Sequence, residues 1–309
     1  MKILARTKDL TREEWLRIRT QGIGGSDVSI LAGINPYKSI YELWKEKTGQ
    51  SEPSEGQSEF AYFGSVLEPI VKAEFMKRTG LKVRAKNMIL QSTDYPFMIA
   101  DLDGIINDNG EACIFEAKTA SEYKLSEWKK GVPKAYVLQV QHYMAVTDAR
   151  KTHIAAIVGG NHFFHYVIER DEALIREIIA MEKSFWERNV LGGMEPLPDG
   201  SDATTAYLNA AYAKSSGSSI QLPPEALAVF DEYDALSQKI EELNISKEAV
   251  CNQMKVYLKE NESGYIGDRR ISWKEVHSSG FDKKRLEREH PELYEKYITQ
   301  RSYRRLSVA

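Results

Sequence analysis

The sequence predicts a mixed α/β domain followed by a helical extension. Three observations carry this. Helical and strand-like periodicities alternate up to about residue 192, residues 195–222 are rich in Pro, Gly, Ser and Ala, and the stretch beyond holds apolar residues at helical spacing. The expected organisation is a core domain over residues 1–194, a linker-like segment over 195–222, and a C-terminal extension over 223–309.

Within the core, Thr11-Arg12-Glu13-Glu14 has the form of a capping box and starts a helix to about Arg19. Gly22-Ile23-Gly24-Gly25 reads as a flexible loop, with Ser26 or Asp27 capping a short second helix. Ser39 caps a third helix that stops at Gly49, and residues 51–58 read as a surface loop. Phe63, Val66, Leu67, Ile70, Val71 and Phe75 then recur at helical spacing as far as Gly80. Pro69 is expected in the first turn of that helix, because deeper in it removes a backbone hydrogen bond.

Residues 98–106 and 112–118 read as two strands joined at Asn107-Asp108-Asn109-Gly110, where Asn-Gly is a strong hairpin signal. Helices are expected at 122–130 and 133–147, strands at 152–158 and 163–169, and a helix capped by Asp171 that ends near Gly192. In the extension, Phe230, Tyr233, Leu236, Ile240, Leu243, Val250, Met254 and Tyr257 predict one long helix from about Pro224 to Glu260, or a helical hairpin broken near Asn244. A small β-hairpin over 264–276 and a basic helical tail follow.

Composition narrows the function classes. Apolar residues make up 42% of the 309, enough for a sizeable core, and no apolar run approaches the roughly 18 residues of a membrane span. The N-terminus lacks the apolar stretch of a secretory signal, so a cytoplasmic protein without a membrane partner is expected. Two cysteines, Cys113 and Cys251, exclude a disulfide framework and a four-cysteine metal site within one chain. The net charge of −3 does not by itself point to nucleic acid, but residues 269–309 hold 11 Lys/Arg against 6 Asp/Glu.

The chemistry starts from the hairpin. If Asn109 and Gly110 are the central turn residues, Asp108 faces Glu111, and counting outward brings Asp103 opposite Glu116 with Lys118 on the same face. Two adjacent carboxylates repel unless a cation lies between them, and all-oxygen ligation suits magnesium. Lys118 would then position or deprotonate an attacking water. The alternative is a surface ion pair of Lys118 with Glu116 or Asp103, common and worth little.

Asp103-Gly104 followed by Glu116-Ala117-Lys118 resembles the Asp…Glu-x-Lys signature of the restriction-endonuclease-like fold. Further blocks resemble the YqaJ-type viral recombinases, relatives of lambda exonuclease: Trp15-Leu16-Arg17-Ile18-Arg19, Gly22-Ile23-Gly24-Gly25-Ser26-Asp27, Gly64-Ser65-Val66-Leu67-Glu68, Tyr136-Val137-Leu138-Gln139-Val140-Gln141, and His165-Tyr166-Val167-Ile168-Glu169-Arg170. The resemblance covers roughly residues 10–190. It implies a restriction-endonuclease-like core, a mixed sheet flanked by helices, and a metal-dependent exonuclease that degrades linear double-stranded DNA from 5′ ends in phage-type recombination.

By the same resemblance, Asp103, Glu116, Glu68 and the Ala117 carbonyl hold Mg2+, with Mn2+ as a substitute, and Lys118 is the catalytic lysine. Arg19 and Ser26 grip a terminal 5′ phosphate. Gln139 and Gln141 are two apart on one helix and cannot both face the site; the resemblance selects Gln141. It also implies a ring-shaped homotrimer and a single-strand annealing protein as partner. An endonuclease of the same fold and a catalytically silent DNA-end-binding scaffold are the competing expectations.

Overall fold

The segment expected as one strand over 98–106 is two strands in two different sheets, and that break organises the core. The computed structural model describes residues 1–8, 10–51, 59–299 and 302–308, so most of the loop expected at 51–58 lies outside the described residues. The chain begins with β1 (Lys2–Arg6), α1 (Arg12–Arg19) and β2 (Ile23–Gly24). A 3-10 turn over Gly25–Asp27 leads into α2 (Val28–Leu31), then α3 (Ile40–Lys47) and α4 (Glu59–Thr79). Thr11 and Ser39 both form capping boxes: each accepts the backbone N–H three residues on, and Glu14 or Glu42 reaches back to the cap's own N–H.

Pro69 lies inside α4, not in its first turn. The helix carries this interruption because its second half is anchored by Val71 and Phe75, both fully buried against a sheet. The expected apolar stripe is therefore only half core: Phe63, Val66 and Ile70 are exposed.

β3 (Met88–Gln91) and β4 (Met98–Asp101) complete a four-stranded sheet of order β1-β3-β4-β2, in which β2 runs parallel to β4. The chain then crosses to a second four-stranded sheet, β5-β6-β7-β8, through Leu102 and Asp103. Its members are β5 (Gly104–Asp108), β6 (Glu111–Ala120), β7 (Lys151–Val158) and β8 (His162–Glu169). Asn109 and Gly110 both have positive φ, as a two-residue hairpin turn requires, and Asp108 pairs with Glu111 and Gly104 with Phe115.

β6 and β7 are parallel, and a parallel pair needs a crossover connection. That connection holds α5 (Leu125–Trp128) and α6 (Lys134–Thr147). α4 packs Val71 and Phe75 on the face bearing Ile106, Cys113 and Phe115, while α6 sets Val140 and Met144 in the cluster containing Ile114 from the other face. α7 (Glu172–Ser184), capped by Asp171, continues as a π-helical turn to Leu191.

The first compact unit runs to Ala213, beyond the expected boundary at 194. Part of the presumed linker is a helix, α8 (Asp202–Ala211), which Ser201 caps; it buries Ala203 and Thr204, and Tyr207 stacks on Tyr41 of α3 at 5.2 Å. Its small, polar composition hid one buried turn. The second unit, Lys214–Ala309, contains α9 (Ala226–Leu258), unbroken at Asn244. It also holds the hairpin β9 (Ser263–Ile266) and β10 (Arg269–Ser272), then α10 (Lys283–Glu289) and α11 (Pro291–Tyr297). Among the described residues no helix is long and apolar enough to cross a membrane.

Candidate active site

A cleft of about 630 Å³ is bordered by Glu68 and Lys72 of α4, Asp101 and Asp103 at the sheet crossing, Glu116 and Lys118 of β6, and Gln139 and Tyr143 of α6. Strand alternation sends Glu116 and Lys118 to one face of β6, and Asp103 sits one residue beyond the end of the β5–β6 ladder on the same side. There Asp103 Oδ2 accepts the Ala117 N–H at 2.8 Å, tying the crossing segment to β6. Lys72 Nζ donates to the Asp103 carbonyl at 3.0 Å and lies 3.6 Å from Glu68.

Glu116 is 2% exposed. Its Oε1 accepts from Lys118 Nζ at 2.7 Å and from Gln139 Nε2 at 2.8 Å, while the buried Oε2 has no hydrogen-bond partner among the described residues. The Glu116–Lys118 pair is therefore not a surface ion pair: the two side chains are 3% and 18% exposed. Lys118 Nζ also lies 4.9 Å above the Tyr136 ring, a cation–π contact.

Burial, reinforced by Asp103, pushes the Glu116 carboxyl up to about 8. Burial also raises Asp103, and burial together with the Asp103 charge raises Glu68. Burial works against the Lys118 charge, but Glu116 and Asp103 more than offset it and hold the ammonium above its ordinary range. Three carboxyls gathered in one cleft and all raised by burial, one with a buried oxygen lacking a partner among the described residues, fit a divalent cation.

A second cluster, around Trp15, Arg19 and Ser26, also lines the cleft. Arg19 stacks over the Trp15 ring at 4.7 Å and donates to Ser26 Oγ at 2.8 Å. Asp27 does not cap α2 through its side chain; Asp27 Oδ2 instead accepts the Gly24 N–H at 3.0 Å. The same oxygen lies 2.8 Å from Lys47 Nζ, and the other is 3.8 Å from Arg19. Burial works upward on Asp27, but Lys47 and Arg19 hold it well below the usual carboxylate range. Lys47 also donates to the Arg19 carbonyl at 2.9 Å. Trp15 Nε1 donates to Asp101 Oδ2 at 2.7 Å, linking this cluster to the carboxylates. Gly25 lets the turn approach α6, since a Cβ there would lie 2.6 Å from Tyr143.

The structure thus brings together Arg19 with Ser26, and Glu68, Asp103, Glu116, Ala117 and Lys118, in one cleft. It does not bring Gln141. That side chain faces away, donating to the Glu169 carbonyl at 2.8 Å and accepting the Asp171 N–H at 3.0 Å. Gln139 occupies the position expected of Gln141, held on Glu116 and by the Tyr143 hydroxyl at 3.0 Å. The i, i+4 spacing of Gln139 and Tyr143 was the signal for a shared face. Trp15 and Arg19 carried the same i, i+4 signal on α1, whereas nothing local related Lys47 to Asp27. His142 is a core residue, bridging Glu182 and the Ile99 carbonyl, and His162 and His165 do not share a site.

Comparison with known proteins gives a family. The model of the YqaJ-like viral recombinase domain matches residues 14–150, a span that includes every cleft residue named above. The chain is 42% identical to the protein YqaJ of Bacillus subtilis (strain 168) over 311 residues, 99% of this chain and 97% of that one. Among solved structures, an alkaline exonuclease from Laribacter hongkongensis is 23% identical with a TM-score of 0.48, covering 57% of this chain and 91% of that chain. A phage related exonuclease from Haemophilus somnus 129PT is 14% identical with a TM-score of 0.42, over 58% and 100% of the two chains.

Proposed function

The chain belongs to the YqaJ-like viral recombinase family, and from that premise we propose that it is a magnesium-dependent exonuclease acting on the ends of linear double-stranded DNA, 5′ to 3′, in recombination. The observation that carries this reading is Glu116, a buried carboxylate with an unpartnered oxygen beside Asp103, Glu68 and Lys118. Glu68, Asp103, Glu116 and the Ala117 carbonyl would hold the metal. Magnesium there supplies Lewis acidity toward the phosphodiester and countercharge for the carboxylates, and manganese is an acceptable substitute.

The chain's own groups do the rest. Lys118 presents an ammonium beside Glu116, able to orient a water toward phosphorus. Gln139 fixes the Glu116 carboxylate and thereby the direction of its free oxygen. Arg19, braced by Trp15 and Asp27, offers a guanidinium fork to a terminal phosphate, with Ser26 as a further donor. The resemblance extends the reading to a homotrimeric ring, a single-strand annealing protein as partner, and the bacterial cytoplasm.

The test uses linear duplex DNA with magnesium, comparing 5′-phosphorylated ends, 5′-hydroxyl ends and a covalently closed circle. Preferential digestion from phosphorylated 5′ ends with the circle intact is expected. A nicked or cut circle would make the protein an endonuclease, and tight end-binding without cleavage would make it a scaffold. Arg19→Ala is expected to erase the preference for phosphorylated ends, raising KM for them by about 10- to 100-fold, the loss of one charge-assisted contact. Gln139→Ala is expected to lower kcat by about 10- to 100-fold, as for a group that orients a metal ligand. Gln141→Ala should instead lower the melting temperature and leave kcat within about twofold, since Gln141 bonds only backbone. Equal kcat losses in the two glutamine variants would contradict the placement of Gln139.

A further inference from the structure

The hairpin that carries Glu116 on one face carries a different set of donors on the other. The Asp108 carboxylate, the Cys113 thiol sulfur and a His153 ring nitrogen all lie within 4.8 Å of one another. They come from three adjacent strands, β5, β6 and β7. The register explains the convergence: Ile106 pairs with Cys113 and Phe115 with His153, so 106 and 108, 113 and 115, and 153 all point to the face that α4 covers. Glu116 and Lys118, of opposite parity on β6, point to the other.

His153 supplies the decisive observation. It is 3% exposed. Its Nδ1 is 3.1 Å from His165 Nε2, while its Nε2 is buried, makes no hydrogen bond among the described residues, and lies 3.5 Å from Asp108 Oδ2. Phe75 meets both imidazoles edge-on, which fixes their planes. When Nδ1–H donates to His165, the Nε2 lone pair faces a carboxylate and a thiol, a donor set that a cation between them would satisfy. A ring N–H bonded outward with the other nitrogen turned inward is also how a metal-ligating histidine is held. Lys151 lies 3.2 Å from Asp108 and 3.1 Å from Glu111, so it neutralises the carboxylate from outside and leaves the imidazole nitrogen unserved.

We propose that Asp108, Cys113 and His153 form a zinc site separate from the carboxylate cluster of the cleft. Thiolate and imidazole select zinc over magnesium, and three protein ligands with one water complete a tetrahedron at the partly exposed Asp108 rim. Binding exchanges a proton for the ion: the Cys113 thiol, now directed at the Glu111 carbonyl at 3.5 Å, gives its proton to solvent as the S–Zn bond forms. No oxidation is involved. The ion joins β5, β6 and β7, stapling the hairpin whose opposite face bears the catalytic carboxylates.

The experiment loads the chelator-treated, full-length protein with Co2+ as a spectroscopic stand-in. One equivalent is expected to produce a thiolate-to-cobalt charge-transfer band with strong tetrahedral d–d bands. One equivalent of Zn2+ should abolish them, and millimolar Mg2+ should not. Cys251→Ser should keep the band and Cys113→Ser should lose it. Asp108→Asn, an isosteric change at a side chain 20% exposed, leaves Cys113 and His153 in place and should keep the thiolate band while weakening Co2+ binding by about tenfold or more. Absence of a charge-transfer band in the wild-type protein, or its persistence in Cys113→Ser, overturns the proposal.

Discussion

Lys118→Ala is expected to lower cleavage of linear duplex DNA by about 10²- to 10⁴-fold, the range for a positioned proton-handling or water-orienting group, while leaving end-binding near normal. The substitution removes the donor 2.7 Å from Glu116 Oε1 but keeps the Gln139 donor at 2.8 Å, so the carboxylate is not released altogether. It also leaves the Arg19–Ser26 hydrogen bond untouched. Single-turnover cleavage and fluorescence anisotropy on the same labelled duplex separate the two effects. Lys118→Arg should not rescue, because a planar fork cannot occupy the site of a compact ammonium packed over Tyr136. Turnover close to wild type in Lys118→Ala would remove this residue from the chemistry.

Glu116→Gln is expected to abolish magnesium-dependent cleavage and, at the same time, to raise the melting temperature of the metal-free protein at pH 8. The sign follows from proton counting. The Glu116 carboxyl has an ordinary value of 4.5 and is pushed up to about 8 in the fold. Between those values the native state keeps a proton that the unfolded chain has released, so stability falls as pH rises through the window. Below about 4.5 both states are protonated and this effect is absent; above about 8 it is complete.

Glutamine mimics the neutral acid and removes this dependence. Magnesium should act in the opposite direction, because it displaces the proton. Its affinity is expected to rise by up to about tenfold per pH unit below 8 for each proton displaced, and its stabilising effect should be larger at pH 8 than at pH 6. Asp103 and Glu68 shift the same way and Asp27 the other, so the quantity to read is the difference between wild type and Glu116→Gln, which reports Glu116 together with its coupling to Lys118. Thermal melts at pH 5.5, 7 and 8.5, with and without magnesium, give the result. Identical pH dependence of the two metal-free proteins would refute the assignment of Glu116 as the strained carboxylate.

Features closed within a few residues of chain are legible in the amino-acid order. Thr11, Ser39 and Asp171 announce helices because a cap acts within three residues. The Asn109-Gly110 turn sets the hairpin register, and with it the shared face of Asp103, Glu116 and Lys118, because a two-residue loop leaves the strands only one way to pair. Four features waited for the tertiary structure. The break between β4 and β5 is not marked in the sequence, because apolar residues continue on both sides of Asp101, Asp103 and Gly104 and only the presence of two sheets makes Leu102 and Asp103 a crossing. Pro69 sits within α4 because burial of Val71 and Phe75 outweighs a missing backbone hydrogen bond.

Lys47 and Asp27 are twenty residues apart, and no local rule relates them until α3 folds against the turn. The choice between Gln139 and Gln141 failed for a related reason. Leu138 to Met144 of α6 are all buried, so the helix has no solvent face from which to read its orientation. Which glutamine meets Glu116 and which meets the Glu169 backbone is decided by what packs on each side. Turns and caps are closed by a few residues of backbone geometry, whereas the facing of a helical stretch buried on every side is a property of its neighbours.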